Sequence, residues 1–307
     1  MRPRIVVLVA LVVAIAAALI FAPKVYGRLT EAQAKAAPAT AHALSRSAKM
    51  GVEEAAPQRT VKSGPVSVTT QGFWSWALLD RHTNQISGSP NLAATNTTES
   101  MIKAWIVSDF LRRTAEQKKQ PTQQQLRWAS TAIRDSNDDS AQSLWVAGGG
   151  RAMIPRLIRI CGLTDTKGDP NSRWSLTYMS ARDAVRMGLC IADGRAAGPQ
   201  WTKYVLGEMR AVRGTVKQQQ LKSGGGRWGI IEGLPTEVQP AVAIKNGWTA
   251  HAGSWIGDNM WHLNCLAIGE DFVLAVEARY PISLGLNHGA GLCRSITEQL
   301  VRNAQAR

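Results

Sequence analysis

The chain has 307 residues and 45% hydrophobic content, enough to build one large packed domain or two small ones, which argues against a disordered chain. Its net charge of +14 would suit nucleic acid, but the residues before Pro65 carry nine Lys or Arg against three acids, so much of the charge lies near the N-terminus. For an exported chain, anionic lipid or wall polymer is a more natural partner than nucleic acid, which is set aside, and a solvated basic surface is favoured over either.

Export is read from the first segment. Arg2 and Arg4 precede an apolar run from Ile5 to Ala22, 18 residues that just suffice to cross a bilayer as a helix. No small-x-small cleavage site follows at once, which favours an uncleaved anchor over a cleaved signal peptide. No cysteine follows either, which argues against lipid attachment. Residues 1–28 therefore read as a signal anchor or signal peptide and residues 29–65 as a linker rich in Ala, Ser, Thr, Lys and Glu, partly helical at 31–37. All eleven tryptophans come after residue 70, and the folded domain is placed at 66–307.

Within that domain, Val66 to Thr69 alternates like a strand and leads to a second strand, Phe73 to Asp80. The middle is helical. Thr97 or Thr98 caps a helix carrying Ile102, Trp105, Ile106 and Phe110, and similar spacing recurs at 121–133, 140–146, 152–161, 180–192 and 200–212. Strands return at 238–244, 260–268 and 272–278, and a last helix spans 292–303. Strands at both ends with helices between predict an α/β fold of the α+β type: an antiparallel sheet built from the two ends of the domain, with an inserted helical part and the reactive groups at the seam.

Cys161, Cys190, Cys265 and Cys293 form an even set in an exported chain, which permits two disulfides in three pairings. Cys161 with Cys190 and Cys265 with Cys293 is favoured, because each pair falls within one stretch of structure. There is no Cys-x-x-Cys and the five histidines do not cluster in sequence, so no metal and no cofactor is expected.

The reactive groups are read from three short motifs. In Ser100-Met101-Ile102-Lys103 a hydroxyl and an amine share one helix face, so the amine can take the serine proton if its pKa is lowered. Alone this means little. It gains weight from Ser136-Asn137-Asp138, which opens an apolar helix, and from Lys245-Asn246-Gly247 at the end of an apolar run.

In this order the motifs resemble those of the penicillin-recognising serine hydrolases, above all the class A β-lactamases, over most of 66–303. The resemblance implies a nucleophile at Ser100, a proton-handling amine at Lys103, a proton relay at Ser136 and a substrate-carboxylate clamp at Lys245. Asn137, Asp138, Asn246, Gly247, Trp248 and Thr249 are implied around the substrate, with an oxyanion hole from the Ser100 amide and one near Thr249. It also implies a β-lactam or a D-alanyl cell-wall peptide as substrate. A monomer held at the membrane by its N-terminal helix is expected.

Three departures stand out. Asp138 replaces an amide and cannot donate to a substrate, although Asn137 could substitute. Asn246 replaces a hydroxyl. The segment between Lys167 and Tyr178 lacks the deacylating glutamate and offers only Asp169. Deacylation is therefore expected to be slow or to proceed to an acceptor other than water, and an exported binding protein without catalysis is the alternative. Trp248 and Trp255 are the tryptophans singled out as lining a groove, while His251, Arg213, Arg227 and Glu99 are expected to serve structure or solvation.

Overall fold

A computed structural model describes residues 59–220, 225–253 and 256–306, all within the compact unit Ala55–Arg307. The expected membrane segment, the helical stretch at 31–37 and Trp255 lie outside the described residues.

The sheet is antiparallel and joins the two ends of the domain. In chain order its strands are β1 (Phe73–Asp80), β2 (Ile86–Gly88), β5 (Ala243–Ile244), β6 (Gly247–Ala250), β7 (Met260–Ile268) and β8 (Phe272–Pro281), while β3 (Thr95–Thr97) pairs with β4 (Tyr178–Ser180) apart from it. The spatial order is β2, β1, β8, β7 and then the edge formed by β5 and β6. Strand β8 is central and apolar through Val273, Leu274, Ala275 and Val276, as a strand covered on both faces must be.

The helices are α1 (Lys103–Glu116), α2 (Gln123–Arg134), α3 (Asp138–Ala147), α4 (Met153–Cys161), α5 (Ala181–Ala192), α6 (Thr202–Arg210), α7 (Val216–Gln220), α8 (Ile230–Gly233) and α9 (Gly285–Gln305). Helix α5 packs against β1, β7 and β8, while α8 and α9 pack on β7 and on each other. Local signals fix several boundaries. Thr122 and Gln125 form a reciprocal capping box on α2, Asn137 caps α3, and Ser180 caps α5. The favoured disulfides are both present: Cys161–Cys190 ties α4 to α5, and Cys265–Cys293 ties β7 to α9.

Three expectations are corrected. Val66 to Thr69 is not a strand, because both backbone polar groups of Ser67 bond to the Gln299 side chain on α9 instead of to a neighbouring strand. The strand expected at 238–244 shrinks to Ala243–Ile244, with Pro240 in a 3-10 turn where it needs no amide proton. The last helix begins at Gly285, a full two turns before the apolar spacing shows it. The domain body also reaches back past Val66: Val61 is buried, and the Lys62 amide donates to the Leu300 carbonyl.

The edge strand meets the helical part at Gly247. A Cβ there would stand 2.5 Å from the Met101 nitrogen and 2.7 Å from the Ser100 nitrogen, so only glycine lets β6 come this close. Gly247→Ala is expected to lower stability by about 1–3 kcal/mol through overpacking. Gly207→Ala, where an added Cβ meets nothing within 4 Å, should be neutral or slightly stabilising. Thermal midpoints of the two variants check this pair.

Candidate active site

Ser100 sits in a 3-10 turn, Glu99–Ile102, that runs into α1 at Lys103. With three residues per turn, positions i and i+3 stack, so Ser100 and Lys103 share one side as the sequence predicts. Ser136 arrives from the α2–α3 loop with φ +55°, a left-handed conformation uncommon outside glycine. Lys245 comes from the edge strand beside β7, its amide bonded to the Leu266 carbonyl.

These side chains form one network. Lys103 Nζ donates to the Ser136 carbonyl, to Ser136 Oγ at 3.4 Å and to Asp138 Oδ1 at 2.6 Å. Lys245 Nζ lies 2.9 Å from Ser136 Oγ and 2.9 Å from the Asn246 carbonyl. Both lysine side chains are fully buried. An ammonium has three protons, and those of Lys103 are all committed to these acceptors, none of them Ser100.

Burial pushes both amines below the usual lysine range, but unequally. For Lys103, desolvation is opposed by the Asp138 carboxylate. For Lys245, desolvation and then repulsion from Lys103 act together and depress the pKa further, with Asp138 only a partial counterweight. Lys245 is therefore the amine held closer to neutrality, and Lys103 is the one an acid partner keeps charged. Trp174 and Trp248 cover the two amines, with ring centroids 5.3 and 6.0 Å from Lys103 Nζ and Lys245 Nζ.

In front of the network lies a cleft of about 960 Å³, lined by Ser100, Ser136, Asn137, Asp138, Trp174 and Trp248 among others. Asn137 is exposed there, its carbonyl oxygen accepting from the Ser140 amide as the α3 cap. That leaves its Nδ2 toward solvent without a hydrogen-bond partner among the described residues. The cleft mouth is acidic, with Asp138 and Asp139 both exposed.

Several sequence expectations are corrected. Asn246 is turned away from the cleft: both its amide protons are spent on the Gly226 and Trp228 carbonyls, at 2.7 and 2.9 Å. Side chains alternate along a strand, so Lys245 and Asn246 take opposite faces. The amide expected near Thr249 to face Ser100 is also relocated. Amides 245 and 251 donate to β7, and with the unbroken register of 247–250 the Thr249 amide takes that same side. The amide facing away from β7, beside the Ser100 turn, is that of Trp248. Asp169, the only carboxylate between Lys167 and Tyr178, is bound by Arg173, which holds its pKa below the usual range.

A second polar cluster is not apparent from the motifs. Glu99 is buried with φ +47° and meets Thr97 and Thr249 hydroxyls at 2.6 Å and His251 Nε2 at 3.0 Å. The expectation that the histidines stay apart fails for His251 and His262, whose rings lie edge to face at 4.5 Å. The signal lies in the β6–β7 register, which places Thr249 opposite His262 and so brings His251 diagonally beside it.

No family profile matches the chain. Among curated proteins it is 28% identical over 214 residues to proteins of Mycobacterium tuberculosis and Mycobacterium bovis provisionally named lipoprotein LppW. The match covers 67% of this chain and 63% of theirs. Among solved structures it is similar to PBP-A, at 15% identity and TM-score 0.57 over 76% of this chain and 91% of that one. A β-lactamase from Burkholderia vietnamiensis matches at 14% identity and TM-score 0.59, over 77% and 93% of the two chains. With its antiparallel sheet, inserted helices and site at their seam, this chain has the fold shared by the class A β-lactamases and PBP-A.

Proposed function

We propose that this protein is an exported acylating serine enzyme of the penicillin-recognising type, which forms an ester at Ser100 with a β-lactam or a D-alanyl wall peptide and releases it slowly. The observation that carries this reading is the buried chain Lys103–Ser136–Lys245 next to a serine that opens on a large cleft. The Ser100 proton is taken up through Lys103 and Ser136 Oγ by Lys245, the amine held closer to neutrality, and is returned to the nitrogen of the amide bond that breaks, while the Ser100 and Trp248 amides donate to the oxyanion. A variant of PBP-A has been solved as an acyl-enzyme with penicillin G, which supports the same chemistry on this fold.

Slow release follows from Asp169, which is tied to Arg173 and so is a poor base for water. Export is supported by the two disulfides, which persist in oxidising compartments, and by the lipoprotein name of the mycobacterial relatives. Anchoring by residues 1–28, a linker at 29–65 and a monomeric state belong to the same reading.

Intact-mass spectrometry after exposure to a fluorescent penicillin tests it. A persistent adduct on the wild type that is absent from Ser100→Ala is the expected result, and no adduct and no turnover with penicillins or cephalosporins would refute β-lactam acylation.

A second reading, a binding protein without catalysis, is favoured by one contact. The Asp138 carboxylate holds Lys103 in its charged form and adds negative charge where an anionic substrate would dock. Acylation needs a neutral amine, so its rate should rise with pH through a lysine pKa below 10.5. Asp138→Asn removes the influence that raises that pKa. The rising limb should then move to lower pH, and acylation near pH 7 should quicken by roughly tenfold for every pH unit the limb moves. Acylation rates against pH for both proteins check this: an unchanged profile would contradict the effect of Asp138, and no acylation of either protein at any pH would favour the binding-protein reading.

A further inference from the structure

The acylation chemistry makes no use of Glu99, His251 and His262. They come from three segments, the residue before Ser100, the residue after β6, and β7, and all three are buried. One ligand atom from each can be chosen so that all lie within 4.8 Å of one another. His251 Nε2 is already 3.0 Å from Glu99 Oε1, a separation at which two atoms can share one ion. The left-handed backbone at Glu99 aims its side chain into this cluster, a conformation that persists only where the surroundings enforce it.

Hydrogen counting shows what the cluster lacks. Thr97 Oγ1 is 2.6 Å from both Glu99 Oε1 and His262 Nδ1, and His262 Nε2 is 2.7 Å from Asp258 Oδ2. Thr249 Oγ1 is 2.6 Å from Glu99 Oε2 and 2.7 Å from the Trp248 carbonyl. These are five contacts, yet the two hydroxyls and a neutral His262 ring bring only one proton each. The carboxylates and the carbonyl bring none. The cluster is short of positive charge between its acceptors.

We propose that Glu99, His251 and His262 form a binding site for a divalent zinc-class metal ion, held by Glu99 Oε1, His251 Nε2 and His262 Nδ1. Two imidazoles and one carboxylate are a donor set that zinc takes, with a fourth position left for water. Asp258, accepting from His262 Nε2, is the outer carboxylate that leaves Nδ1 for the metal. Thr97 Oγ1, now between Glu99 and His262, turns aside to bond a ligand from outside. Magnesium, which demands an oxygen shell, does not suit two nitrogens. The bound ion joins the residue before the nucleophile to the edge strand that carries the Trp248 amide and to β7, and so braces both sides of the oxyanion pocket. The site stands whether or not Ser100 is ever acylated.

The test uses the full chain, purified in detergent and stripped with chelator, titrated calorimetrically with zinc and optically with cobalt(II). One equivalent of zinc, a visible cobalt band of a four-coordinate site and no heat with magnesium are expected. Glu99→Gln and His251→Gln should each weaken zinc at least tenfold, and Asp258→Asn by about 10–100-fold. Near-UV circular dichroism qualifies each variant, and where Glu99→Gln alters the fold, His251→Gln carries the comparison. Absence of zinc binding, or zinc affinity unchanged in the variants that fold, would overturn the proposal.

Discussion

Two buried amines around one hydroxyl are the constraint on which the site depends. Lys103 and Lys245 both reach Ser136, and neither side chain has access to water. Burying two ammonium ions side by side is expensive, so the pair relieves itself by losing charge on one member and neutralising the other. Asp138 decides which: its carboxylate touches Lys103, and Lys245 has only carbonyl and hydroxyl oxygens. The result is an asymmetric pair, with Lys245 pushed further below the ordinary lysine range than Lys103.

The architecture exists to bring these groups together. Ser100 and Lys103 start a helix of the inserted part, Ser136 hangs from the loop between two more of its helices, and Lys245 comes from the sheet. At Gly247 the two halves touch backbone against backbone. One disulfide ties α4 to α5, which packs on the sheet, and the other ties β7 to α9. None of the three segments would hold its residue in place alone.

Much of this is legible in the sequence, for identifiable reasons. The three motifs stand in regular elements or beside a helix cap, where spacing alone determines which side chains converge, and the favoured disulfides join neighbouring elements. The misreadings share a different cause. The third motif assigns Asn246 to the cleft because a motif does not reveal strand parity, and parity turns it toward Gly226 and Trp228. Val66 to Thr69 alternates correctly for a strand but finds its partner in a glutamine side chain. The Glu99, His251 and His262 cluster depends on the β6–β7 register and on a left-handed turn, neither of which composition or spacing encodes.

The most direct test of the asymmetric pair is an NMR titration of the side-chain amines in protein labelled at lysine. Two resonances, assigned by Lys103→Arg and Lys245→Arg, should titrate below the ordinary lysine range, with Lys245 the lower and the Lys103 resonance moving down in Asp138→Asn. Titration of both amines near 10.5, unaffected by Asp138→Asn, would contradict the account.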